Sequence, residues 1–351
     1  MELHHQRLVD VQSEKRLRPA PVVSLVLPCY NEYEVLPETT SRLLKLVGDA
    51  IDRGDFAPGS AIYYVDDGSR DGTWDMIREF AHQHTLVSGI KLSRNRGHQN
   101  ALLCGLMTAP GDVLISLDAD LQDDLDAIPR MVQAYREGNE IVFGVRRART
   151  KDTFFKRFTA ESYYKLLGFL GVQIIYNHAD YRLMSRRAIE TLREYEETHL
   201  FLRALVLQLG FKSAVVEFER AERFAGESKY PLKKMLGLAW QGITSFTAYP
   251  LRMITGVGFI VSLGSLGLAA WALFIRIFTD QALPGWASVV IPTYFLGGVQ
   301  LLSLGVIGEY LAKVYEASKR RPRFHVERLC GTTFRQEPAQ ASRVAQEWGV
   351  E

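Results

Sequence analysis

Short apolar runs alternate with amphipathic stretches through the first 150 residues of the chain. Residues 22–27 read as a strand ended by Pro28, and residues 36–51 carry Leu36, Leu43, Leu44, Leu46 and Val47 at helical spacing. Further continuous apolar runs follow at 61–65, 89–92, 113–117 and 140–145, separated by helix-length segments at 73–84, 99–108 and 128–137. Strands without internal polar alternation are strands covered on both faces. The pattern therefore predicts an α/β fold: a mostly parallel sheet with helices on both sides. A further helix over 153–169, with a Phe and Tyr stripe that suits core packing, and a strand over 215–218 complete the soluble part.

The back third changes character. Residues 253–275 contain no charged residue, and neither do residues 281–308. Each run is longer than the roughly 20 residues needed to cross a bilayer. Basic residues crowd the outer flanks: Lys229, Lys233, Lys234 and Arg252 before the first run, then Lys313, Lys319, Arg320, Arg321 and Arg323 after the second. The positive-inside rule puts both flanks in the cytoplasm and the short connector 276–284 outside. Residues 232–247 are amphipathic and suit the membrane interface. The expected layout is a flexible tail over 1–20, a catalytic domain over 21–230, an interfacial helix over 231–250, two transmembrane helices over 251–312 and a cytoplasmic tail over 313–351. The N-terminus lacks an apolar signal core. The expectation is thus a multi-pass protein of the cell inner membrane, with its catalytic domain and both termini in the cytoplasm.

Composition adds exclusions. The 351 residues carry a formal net charge of +2, so no nucleic acid partner is implied. Cys29, Cys104 and Cys330 have neither disulfide-framework nor zinc-ligand spacing. No GxGxxG follows the first strand and no P-loop is present, which disfavours a dinucleotide fold and a P-loop site.

The polar clusters fall where the apolar runs end: Tyr30-Asn31-Glu32, Asp66-Asp67-Gly68-Ser69, Ser93-Arg94-Asn95 and Asp118-Ala119-Asp120. In a parallel sheet these are the carboxyl ends of the strands, where ligands bind. Asp118 and Asp120 sit two apart beside Gln122, and at a strand end alternate residues share a face. Hard oxygen ligands of this kind suit Mg²⁺ or Mn²⁺. The same stretch also suits an acidic turn capping a helix. Asp123 and Asp124 read as solvated or capping, and His98 as a helix-start residue rather than a ligand.

Pro28-Cys29-Tyr30-Asn31-Glu32, Asp66-Asp67-Gly68-Ser69, Asp118-Ala119-Asp120-Leu121-Gln122, Gly144-Val145-Arg146 and Arg223-x-x-Gly226-x-Ser228-Lys229-Tyr230, in this order before two apolar spans, resemble family-2 glycosyltransferases with a GT-A fold. More narrowly the set resembles polyprenyl-phosphate glycosyltransferases of the dolichol-phosphate mannose synthase type, in the bacterial branch with two C-terminal membrane helices. The resemblance covers about residues 22–323. It implies transfer of a sugar, with inversion, from a UDP-sugar to undecaprenyl phosphate, with glucose as the first choice; N-acetylglucosamine, a modified arabinose and GDP-mannose stay open. It implies that Pro28, Tyr30, Glu32, Val65 and Asp67 hold base and ribose. Asp118 and Asp120, with Gln122 and the Ala119 backbone, would hold the diphosphate through Mg²⁺ or Mn²⁺. Arg146, Arg157, Arg223 and Lys229 would bind donor diphosphate or acceptor phosphate. Asp120 and Asp180 would be the catalytic carboxylates, Asp180 either as a base or as an orienting group paired with Arg182. Relatives suggest a homotetramer. The rivals are a processive polysaccharide synthase, an inactive membrane scaffold and a sugar nucleotidyltransferase. The first lacks its Gln-x-x-Arg-Trp stretch here, and the last its glycine- and lysine-rich loop.

Overall fold

The computed structural model describes residues 17–147, 178–197, 200–219, 249–278 and 285–336. In chain order these form β1 (Val23–Cys29), α1 (Leu36–Asp52), β2 (Ala61–Asp66), α2 (Thr73–Gln83), β3 (Val87–Leu92), α3 (His98–Thr108), β4 (Val113–Ser116), α4 (Ala127–Arg136) and β5 (Ile141–Arg146). Then come β6 (His178–Ser185), α5 (Arg186–Arg193), α6 (Leu202–Gln208), β7 (Ser213–Phe218), α7 (Tyr249–Phe278), α8 (Gly285–Ser318), β8 (Val326–Gly331) and α9 (Thr332–Gln336). The expected helices at 153–169 and 232–247 lie outside the described residues, as do Arg157, Arg223 and Lys229.

One mixed sheet runs in the order β7-β5-β6-β4-β1-β2-β3-β8. β4, β1, β2 and β3 are mutually parallel, as the continuous apolar runs predict. Strand alternation feeds two cores. Leu25, Leu27, Ile62 and Tyr64 pack against α1, α2 and α4, while Val26, Tyr63 and Val65 pack against α3 and its neighbours. All seven are fully buried, so β1 and β2 are covered on both faces.

The sequence reading named no element at β6, α5, α6, β8 or α9. β6 runs antiparallel between β4 and β5. Its two charged residues, Asp180 and Arg182, hid it from a hydropathy reading. The polar stretch after Arg323, which had suggested no element, supplies β8, antiparallel to β3 at the sheet edge. Phe334 of α9 then packs edge-to-face on Tyr63, with ring centroids 6.0 Å apart. At the other terminus the structure describes the chain from residue 17, inside the span expected as a tail. Arg18 pairs with Glu140 at 2.5 Å and lies over the Tyr135 ring, so the chain is docked from there on.

α7 and α8 carry exposed apolar side chains, among them Phe259, Ile260, Leu301, Leu302, Leu304 and Leu311. Among the described residues one segment, Phe295–Ser318, is long and apolar enough to cross a membrane; the apolar piece Tyr249–Val261 is shorter. The two-span expectation is therefore met by one candidate.

Candidate active site

The carboxyl ends of β1, β2 and β4 open onto one side of the sheet, and the loops that leave them are stitched together. The Asn31 amide donates to Ser69 Oγ at 3.0 Å, and the Arg70 amide donates to Asn31 Oδ1 at 2.9 Å. The Asp67 amide donates to the Cys29 carbonyl at 2.9 Å. The buried Asp67 carboxylate accepts from the Arg96 amide at 2.6 Å and the Gly97 amide at 2.8 Å. Burial pushes the Asp67 carboxyl above its usual range while these two amides pull it back. Asp67 thus fixes the loop between β3 and α3. Gly68 makes the approach possible: it has φ +68°, and a Cβ there would sit 2.7 Å from the backbone of Arg94 and Asn95.

Among the expected base and ribose contacts, Tyr30 stands exposed and Glu32 half-exposed at the mouth. Val65 lies at the end of β2. Its side chain is fully buried beneath Gly105 of α3, so only its backbone can face a ligand. Pro28, its register partner across β1 and β2, is buried too.

The acidic stretch is a turn, not a strand end. β4 stops at Ser116, and Leu121 takes φ +56°. Period-two alternation therefore does not aim Asp118, Asp120 and Gln122. Their placement comes from local bonds: the Gln122 amide donates to Asp120 Oδ1 at 3.2 Å, and the Asp118 amide lies 3.4 Å from Asp123 Oδ2. The Ala119 carbonyl accepts from Thr39 Oγ1 at 2.8 Å, and the Tyr181 hydroxyl donates to the Asp124 carbonyl at 2.9 Å, so the turn is held from both sides.

Two residues that the sequence reading set aside belong here. His98, at the start of α3, brings Nε2 to 3.6 Å from Asp118 Oδ1 and 4.0 Å from Asp180 Oδ2. Asp123, read as solvated, is buried, and its carboxyl is pushed up to about 7 by burial and by the charge of Asp118. Its Oδ1 is a buried oxygen without a hydrogen-bond donor.

Asp180 is gripped by two guanidinium groups. Arg182, itself fully buried, donates Nη2 to Asp180 Oδ1 at 2.7 Å, and Arg203 donates from Nε and Nη2 at 3.2 and 3.0 Å. Burial alone would raise this carboxyl, but Arg182 and Arg203 hold it well below the usual carboxylate range. Both Asp180 oxygens accept from guanidinium groups, the geometry of the orienting alternative. Arg203 escaped the sequence reading because it sits in α6, with no motif around it.

The donor set suits a hard divalent cation. Burial, then the negative fields of Asp180 and Asp120, push the Asp118 carboxyl up, with His98 and Arg146 opposing. Negative charge thus crowds around Asp118, and the lone Asp123 oxygen lies beside it. Among the described residues no three His, Cys, Asp or Glu side chains form a ready metal cage. Mg²⁺ sites commonly take one or two protein carboxylates and complete their shell with water and substrate phosphate.

The model of glycosyl transferase family 2 matches residues 24–193. An uncharacterized glycosyltransferase of Bacillus subtilis, YkoT, is 48% identical over 88% of this chain and 91% of its own length. The chain belongs to glycosyl transferase family 2. Two further relatives of this family-2 chain carry a more specific description. A prophage bactoprenol glucosyl transferase homolog of Escherichia coli K12 is 35% identical, over 88% of this chain and 99% of its own length. The bactoprenol glucosyl transferase of Shigella phage SfV is 36% identical, over 87% and 98%. A solved mannosyltransferase from Pyrobaculum calidifontis aligns over 85% of this chain and 87% of its own, at 18% identity and a TM-score of 0.40, too distant to bear on the site.

Proposed function

We propose that this family-2 glycosyltransferase moves glucose from UDP-glucose to undecaprenyl phosphate at the cytoplasmic face of the inner membrane. The observation that carries the reading is the gathering of Asp118, Asp120, Asp180 and His98 at the carboxyl ends of the parallel strands. It is joined to a relationship with bactoprenol glucosyl transferases that runs nearly end to end.

In the proposed reaction an oxygen of the acceptor phosphate attacks the anomeric carbon. The bond from that carbon to the donor's β-phosphate breaks, UDP leaves with the electron pair, and the centre inverts. A phosphate monoester has a second pKa of about 6, so the nucleophile is already largely dianionic and needs no base. This agrees with an Asp180 that is tied to Arg182 and Arg203. Its part is to hold those cations and to face His98. Tyr30 and Glu32 at the mouth would meet the uracil and ribose. Arg146, whose charge draws the Asp118 and Asp123 carboxyls down, would attract diphosphate. Arg157, Arg223 and Lys229 are assigned to acceptor phosphate on the resemblance of their motifs. Asp118 and Asp120, assisted by Gln122, would hold Mg²⁺ or Mn²⁺, which when bound supplies charge neutralisation for the departing diphosphate.

The membrane part of the reading uses two spans, α7 and α8. Exposed apolar side chains along both would be costly in water and suit hydrocarbon. A tetramer packed through these helices is the proposed assembly.

The test uses membranes carrying the full chain, labelled UDP-glucose and undecaprenyl phosphate. Label entering the organic phase with Mg²⁺ or Mn²⁺, and not with chelator or Asp120→Ala, supports the reading. Polymeric or water-soluble label, or turnover indifferent to chelator, overturns it.

A further inference from the structure

α8 ends at Ser318 and the chain turns sharply, with Arg320 at φ +46°. Between this turn and the catalytic domain lies a cavity of about 290 Å³. Four arginines line it: Arg193, Arg320, Arg321 and Arg323; Glu196 is the acidic residue among the lining. Leu103, Met107 and Phe324 supply apolar surface.

Two of the arginines are committed to the protein. Arg193 donates to the Met107 carbonyl at 3.0 Å and pairs with Glu190 at 3.3 Å, and Arg323 donates to the Tyr195 carbonyl. Glu196 and Glu197 also act on Arg323. Arg320 and Arg321 are exposed at the cavity's edge. Together with Lys319 they follow the apolar segment Phe295–Ser318, so with α8 as a span they stand at the membrane surface.

The cavity is not the reaction centre. Met107 lies nine residues along α3 from His98, about 13 Å at helical rise. It mixes guanidinium groups, which grip phosphate oxygens, with an apolar floor. A free anion would use only the first. On α8, Val314, one turn before the lining residue Ala317, stands exposed beside the cationic edge, whereas Lys319 Nζ covers the Tyr315 ring at 3.9 Å from its centroid.

We propose that this cavity binds the head group of an anionic phospholipid, with its acyl chains along α8. The lipid would clamp the end of α8 to α3. The proposal rests on the reading of α8 as a membrane span but not on the sugar or the acceptor.

The full chain, purified in neutral detergent, is offered phosphatidylglycerol or phosphatidylcholine, and bound lipid is counted by native mass spectrometry. One phosphatidylglycerol should be retained per chain and phosphatidylcholine lost. The double variant Arg320→Gln, Arg321→Gln should weaken retention about tenfold or more with an unchanged melting temperature. Arg252→Gln, a cation outside the cavity, should leave it intact. Equal retention of both lipids, or equal loss with Arg252→Gln, overturns the proposal in favour of diffuse surface charge. Displacement by millimolar inorganic phosphate makes the cavity a site for soluble anions and overturns it. Displacement by stoichiometric undecaprenyl phosphate reassigns it to the acceptor and overturns it too. A chain that stays monodisperse without detergent removes the membrane reading and this site together. Loss of lipid selectivity with glucosyl transfer intact removes this site alone.

Discussion

Replacing Asp180 by Asn should cost more stability than any other single exchange at the mouth of the sheet. Arg182 is 1% exposed and its carboxylate partner 11% exposed, at 2.7 Å. Removing the acid strands a guanidinium in the core, and breaking a buried pair from one side costs about 3–5 kcal/mol. Arg203 contributes little to that figure, because its side chain is 35% exposed and solvent screens it. For a domain of this size the loss corresponds to a fall in melting temperature of about 6–20 °C. Thermal unfolding of the full chain in detergent reads it directly. The double variant Asp180→Asn, Arg182→Met removes both charges and should regain most of the loss. The pH dependence has a definite sign. The folded-state pKa of Asp180 lies below its unfolded value of about 3.9, so the stabilisation is complete above that pH and is lost as pH falls through the depressed value. Wild type and Asp180→Asn should thus differ fully at pH 7 and converge in acid. A single variant melting within about 2 °C of wild type at pH 7, or a double variant no better than the single, refutes the reasoning.

Gly105→Ala should lower stability by about 1–3 kcal/mol, since a Cβ would run into Val26 and, at 2.7 Å, Val65; chemical denaturation checks it. Phe334→Ala should cost about 3–5 kcal/mol by emptying the contact with Tyr63, and an unchanged melt would mean that α9 is not docked in solution. His98→Ala should lower kcat with little change in melting temperature, because His98 is half-exposed yet faces Asp118 and Asp180; unchanged kcat removes it from the site. Asp123→Asn should raise the melting temperature at pH 8 and leave it nearly unchanged at pH 4. A carboxyl whose folded value is raised to about 7 destabilises the fold as pH climbs from about 4 through 7. A melt that does not change with pH relative to wild type counts against it.

Strands β1 to β4 were legible because each is an apolar run, and a run covered on both faces leaves no doubt about its period. β6 was not, because its burial of Arg182 depends on Asp180 two residues away and on Arg203 from another helix. Charge in a core is invisible to hydropathy until the partner is known. β8 is six residues long with no clean alternation, and nothing local distinguishes Val326–Gly331 from a polar tail. At the site, Asp118, Asp120 and Asp67 announced themselves by type and spacing. His98 and Asp123 did not: a histidine at a helix start and the third acid of a run have common structural uses, and only tertiary contact tells them apart. The alternation used for Gln122 failed because β4 stopped two residues before Asp118.

β8 closes a circuit. The chain leaves the sheet, passes through α7 and α8, and comes back to hydrogen-bond with β3 at the opposite edge from β7. A head joined to a bilayer by a single flexible neck would sweep a range of heights. One whose exit from α8 is stapled to its own sheet within eight residues has a bounded range, since eight extended residues reach at most about 28 Å and these end in a buried phenylalanine and a paired strand. With α8 as a membrane span, as proposed, the reaction centre would keep within a limited band of altitudes above the lipid, and the proposed acceptor would present its phosphate there. Lengthening the 319–325 link with a glycine-serine insert would widen that band without touching any residue of the site.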